Sequence, residues 1–128
     1  MEEIEREIAA TISGKSYLLR YWAINYGTHV GSTIKLLDAT AAPIVEFSFE
    51  THWNAPGRYI LRQGQVKANP DYPGSARLIE TAGVRVMQAM APRFAQATSL
   101  DDIFARIKAG ANSLLWEAGY ALAEAAAQ

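Results

Sequence analysis

The sequence predicts an α+β domain: a short N-terminal helix, a four-stranded antiparallel meander, and two C-terminal helices packed on the sheet. Three observations lead there. Ile44 to Trp53 alternates strictly, with Val45, Phe47, Phe49, Thr51 and Trp53 on one side and Glu46, Ser48, Glu50 and His52 on the other. Side chains alternate across a strand with period two, so this is one wall of a core with a polar back. Similar β-rich runs lie before and after it, separated by short turn signals. Beyond residue 75 the apolar spacing changes to threes and fours, the helical period.

Each element has its own warrant. Residues 2–13 carry Ile4, Ile8 and Ile12 as a narrow apolar stripe, with Glu2, Glu3 and Glu5 where a helix dipole favours carboxylates. Gly14 then reads as the residue that ends a helix. Ser16 to Tyr26 is rich in aromatic and β-branched residues on both faces, which predicts a strand covered on both. Strand two runs from about His29 to Ala39, and Asp38 to Pro43 is the next turn. Ile44 to Trp53 is expected as the central strand, and Pro56-Gly57 suits the middle of a type II turn.

Tyr59 to Lys67 returns as the fourth strand, and its register can be argued. Pairing Trp53 with Tyr59 puts Thr51 opposite Leu61, Glu50 opposite Arg62 and His52 opposite Ile60. A one-residue slip would send every apolar side chain to the wrong face.

Residues 68–75, with Pro70, Pro73 and Gly74, form the linker. A helix follows over 76–96, with Ile79, Gly83, Val86, Met90 and Phe94 in helical spacing and Pro92 ending or kinking it. Ser99 is an N-cap, followed by Asp101 and Asp102. The last helix is expected over 99–125 on the stripe Leu100, Phe104, Ile107, Ala111, Leu114 and Ala118. Trp116 and Tyr120 lie off that stripe, and Gly110 and Gly119 imply close packing or a kink.

The bulk numbers narrow the function classes. The 128 residues suit a single domain over 1–128, and half of them are apolar. Cysteine is absent, which removes thiolate chemistry and suits a reducing, cytoplasmic setting. The acidic start is unlike a signal peptide, and no apolar run is long enough to predict a membrane span. A net charge of −1 argues against nucleic acid as the partner.

Gly14-Lys15-Ser16 lacks the earlier glycine and preceding strand of a phosphate loop. No Gly-x-Ser-x-Gly nucleophile motif and no dinucleotide fingerprint occur. His29, Glu46, Glu50 and His52 would have to converge to hold a metal, and they form no compact ligand motif. No metal and no cofactor is therefore expected.

What remains is a mixed polar and aromatic strip. Its candidate residues are Arg20, Trp22, Glu50, His52, Tyr59 and Arg62. Tyrosine, tryptophan and arginine are the residues enriched where proteins meet. The expectation is a non-enzymatic binding protein of adaptor, chaperone or inhibitor type. It would recognise another macromolecule, with a protein favoured over nucleic acid, through a folded, homodimeric or larger surface. The alternative is a small-molecule-binding protein or small enzyme with a pocket between sheet and helices, using the Glu/His/Arg cluster.

Overall fold

The computed structural model describes residues 2–55 and 58–127. Five strands follow one another as β1 (Glu2–Ile12), β2 (Lys15–Asn25), β3 (Val30–Asp38), β4 (Pro43–Ala55) and β5 (Arg58–Ala68). They form one antiparallel sheet in chain order. Helix α1 (Ser75–Met90), a 3-10 turn (Ala91–Phe94), α2 (Leu100–Ala109) and α3 (Ala111–Ala127) come after. The expected Pro56-Gly57 turn lies outside the described residues.

The N-terminal segment is a strand, not the expected helix, so the sheet has five strands rather than four. A four-residue spacing satisfies a strand as well as a helix, because four is a multiple of two. Ile4, Ile8, Ala10 and Ile12 make one row, and Ile4, Ala10 and Ile12 are buried. Ser13 and Gly14 both have positive φ (52° and 78°), the pattern of a two-residue type I′ hairpin turn. Gly14 thus closes a hairpin instead of ending a helix. The 11 residues of β1 then pair with β2 without a register shift. A short isolated helix has no such source of stability.

The alternating run sits in β4, antiparallel to both neighbours, but the middle strand is β3. The β4–β5 register is the one argued from polarity: Trp53 with Tyr59, Thr51 with Leu61, Glu50 with Arg62, His52 with Ile60.

All helices lie on one side of the sheet, over a row formed by Leu19, Tyr21, Ile34, Leu36, Phe47 and Phe49, none more than 1% exposed. Burying each such side chain contributes about 1.5–3 kcal/mol. Helix α3 packs on β1, β2 and β3, while α1 packs on β5 and against α3. Gly119 permits the approach of α3: a Cβ there would lie 2.4 Å from Leu19 Cδ1. Ser99 caps α2 as expected, its Oγ accepting from the Asp102 N–H at 3.0 Å.

Three further expectations are corrected. The C-terminal helix is two helices, divided at Gly110, whose N–H donates to Arg106 O. The first helix buries Leu78 rather than Ile79, which is 45% exposed; α1 is already complete at Met90. Helices cover one face of β2 only: Tyr17, Leu19, Tyr21 and Ala23 are buried beneath them, while on the other face Arg20 and Trp22 are exposed, Leu18 is half-buried and Ile24 is buried. Every helix went to the same side, so Arg20 and Trp22 have no helix over them. Among the described residues no helix is long and apolar enough to cross a membrane.

Candidate functional site

The open face of the sheet gathers most of the candidate residues, because cross-strand pairing places same-parity side chains in rows. Three rows run across it. Glu7, Arg20, Lys35, Glu46 and Lys67 stand side by side over all five strands. Glu5, Trp22, Thr33 and Ser48 form the next. Glu3, Ile24, Gly31, Glu50 and Arg62 form the third. His52 follows one step beyond Glu50.

The first row is charged on every strand, acidic on β1 and β4 and basic on β2, β3 and β5, and ion pairs join neighbours of opposite sign. Arg20 Nε donates to Glu7, and Lys35 Nζ lies 3.6 Å from Glu46 Oε1. Exposed pairs of this kind contribute about 0–1 kcal/mol each, so their main effect is to fix side-chain positions. Trp22 stands in the middle row, 39% exposed. Its indole N–H donates to Glu3 Oε2 at 3.2 Å, so the ring is oriented although its surface is open. Trp22 borders two hollows. One, of about 700 Å³, is walled by Glu5, Glu7, Arg20, Lys35 and Glu46. The other, of about 480 Å³, is walled by Ile24, Tyr26, Gly31, Glu50 and Arg62.

At the second hollow the two histidines share one carboxylate. His52 Nε2 is 3.0 Å from Glu50 Oε2, and His29 Nε2 is 3.7 Å from Glu50 Oε1. The imidazoles stack with centroids 5.1 Å apart, and Tyr26 stacks on the far side of His29 at 4.9 Å. Thr28 Oγ1 lies 2.9 Å from His29 Nδ1, which sets the ring's orientation. The Tyr26 ring covers Gly31, its Cε2 3.0 Å from where a Cβ would sit. The hydrogen bond from His52 holds the Glu50 carboxyl below its ordinary range, and the charges of His29 and Arg62 act in the same direction.

Five of the six sequence candidates therefore share one face: Arg20, Trp22, Glu50, His52 and Arg62. Tyr59 does not. It lies on the helix side, where its hydroxyl donates to Ala91 O and its ring meets Phe94 edge-on at 6.0 Å. The helices pack on the opposite side of the sheet from Glu50, His52 and Arg62. Among the described residues no three His, Asp or Glu side chains converge in metal-binding geometry.

Two groups escape the sequence reading. A helix over residues 2–13 hides Glu3, Glu5 and Glu7, although their every-second-residue spacing is a strand signal. Nothing along the chain links His29 to Glu50, although His29 lies two residues from Gly31, the cross-strand partner of Glu50. A separate aromatic pair, Trp116 and Tyr120, is exposed on the outer surface of α3, with ring centroids 6.2 Å apart.

No protein-family model matches the chain, and neither a curated protein nor a solved structure shows significant similarity to it.

Proposed function

We propose that this chain is a non-enzymatic binding protein, of adaptor, chaperone or inhibitor type, that recognises another protein through the open face of its sheet. One observation carries the reading: Trp22 is held by Glu3 on the face of the sheet opposite the helices, between rows of mixed charge. An oriented aromatic side chain surrounded by polar groups is the anatomy of an interface centre and its rim. The acidic row Glu3, Glu5 and Glu7 repels polyanions, which favours a protein over nucleic acid. The recognition surface is oligomeric, since one small sheet leaves both an open face and a free edge.

A second reading rests on the hollow beside Trp22. Its aromatic wall and the Glu50–Arg62 pair suit a small molecule with a flat ring and polar substituents.

The two readings part in one experiment. Affinity capture from native lysate with the wild-type chain, beside Trp22→Ala, is expected to retain a protein only with the wild type. Copurification of a small molecule with no retained protein reverses the preference. Thermal shift against a metabolite panel then identifies the class, because a ligand of the native state raises the melting temperature by mass action.

A further inference from the structure

The two edges of the sheet are built differently. The β5 edge is blunted: its pairing with β4 shifts register between Phe47 and Phe49 and again between Trp53 and Ala55, and it carries Gly64 and Lys67. Bulges and lysines are the usual devices that keep a sheet edge from pairing. The β1 edge has no proline, no lysine and no register shift over its 11 residues; its charges, Glu2, Glu3, Glu5, Arg6 and Glu7, all lie before Ile8, and Ile8 to Ile12 is uncharged. A long regular edge presents a row of unpaired backbone donors and acceptors to a partner strand.

The side chains of β1 select that partner. Ser13-Gly14 is a two-residue hairpin, so Ile12 and Lys15 exchange backbone hydrogen bonds. Bonding alternates along an antiparallel pair. The even residues of β1 therefore bond inward to β2, and Glu3, Glu5, Glu7, Ala9 and Thr11 turn their N–H and C=O groups outward; Arg6 Nη1 donates to the Glu5 C=O at 2.8 Å and swings aside when a partner strand pairs.

Consider two β1 strands related by a two-fold axis through Ile8. Ile8 meets Ile8 of the second copy, Ile4 meets Ile12, and Arg6 meets Ala10. Glu7 meets Ala9 and Glu5 meets Thr11, so no glutamate stands directly opposite another. The Glu7 carboxylates remain diagonal to each other, each engaged by Arg20 of its own chain. An axis through Glu7 instead sets Glu7 against Glu7, and like charges directly opposite are destabilising. The Ile8 axis also extends the row of buried Ile4 and Ile12 across the junction.

We propose that two copies of this chain pair antiparallel through β1 about Ile8, forming one continuous ten-stranded sheet with both helix layers on one side. This rests on the oligomeric part of the proposed function and names its interface. It is independent of what the open face binds.

The absence of cysteine makes the register directly readable. Wild-type protein is expected to run in light scattering at twice its 14.0 kDa chain mass. Under mild oxidation, Ile8→Cys is expected to form a covalent dimer at least about tenfold faster than Glu7→Cys or Ala9→Cys, because a disulfide needs closely apposed Cβ atoms. Ala9→Pro removes only an outward N–H, and Ile8→Lys sets two like charges on the axis. Both are expected to give monomers with an unchanged circular dichroism spectrum. Should Ile8→Lys fail to fold, Ala9→Pro carries the test. A dimer in which Glu7→Cys or Ala9→Cys links as fast as Ile8→Cys overturns this interface and leaves oligomerisation standing. A wild-type monomer at micromolar concentration overturns both.

Discussion

The covered face of the sheet presents Leu19, Tyr21, Ile34, Leu36, Phe47 and Phe49 to the helices, whereas the open face of the same strands presents Arg20, Trp22, Lys35, Glu46 and Glu50. Backbone and pairing are common to both. The difference lies in what each face must satisfy. The covered face is closely packed, and its polar atoms have few outlets: Tyr21 and Ser32 bond each other at 2.8 Å, while Thr51 Oγ1 has no partner among the described residues. Burial pushes the Tyr21 phenol upward in pKa, so it stays neutral. The open face satisfies its charges laterally, strand to strand, and leaves aromatic surface uncovered. A residue on the first face answers to volume; one on the second answers to charge and to partners.

The largest expected effect lies on the covered face. Phe47→Ala, at a fully buried position, is expected to lower unfolding stability by about 3–5 kcal/mol, measured by denaturant titration. A loss under about 1 kcal/mol would mean that the two faces are not as unequal as burial implies.

Trp22→Ala sharpens the contrast from the other side. Stability should change by no more than about 0.5 kcal/mol, in keeping with an exposed position. Affinity for the captured protein should fall by about 2 kcal/mol or more, read by calorimetry. The reverse outcome, lost stability with unchanged affinity, would make Trp22 a structural residue.

Gly119→Ala is next. Its Cβ would meet Leu19 Cδ1 at 2.4 Å and Cγ at 2.9 Å, so overpacking by about 1–3 kcal/mol is expected despite the better helix propensity of alanine. In a Leu19→Ala background the penalty should largely vanish, and a double-mutant cycle measures this coupling. Additive effects would place the contact elsewhere.

The smallest effect is a pH dependence on the open face. The folded-state pKa of Glu50 is lowered, first by its His52 hydrogen bond. A lowered carboxyl contributes stability above its unfolded pKa and loses it as pH falls through the folded value. Glu50→Gln should therefore lower stability slightly near neutrality and flatten its decline below the ordinary carboxylate range, where the two proteins converge. Melting curves from acid to neutral pH check this, and an unflattened acid limb would show that Glu50 is not linked to folding.

Local alternation and capping chemistry are legible in the amino-acid sequence alone. The run Ile44 to Trp53 carries its own period, and the contrast of Glu50, Arg62, Thr51 and Leu61 selects the β4–β5 register, because a slip inverts every side chain. Ser99 announces its helix because its hydroxyl satisfies an N–H that the helix leaves unpaired. The cluster of Arg20, Trp22, Glu50, His52 and Arg62 is legible by strand parity, which assigns faces without saying which face is covered.

That last decision belonged to the tertiary structure. Residues 2–13 fit either period, and only an available β2 edge made them a strand. The same holds at Trp22: its row is as apolar in places as its neighbour, and it is exposed because α1, α2 and α3 all settled on the other side. Tyr59 and His29 changed places for the same reason, one drawn beneath a helix turn and the other brought beside Glu50 by the β3–β4 pairing. Period and polarity are properties of neighbours along the chain, whereas burial is a property of whatever distant segment arrives to cover them.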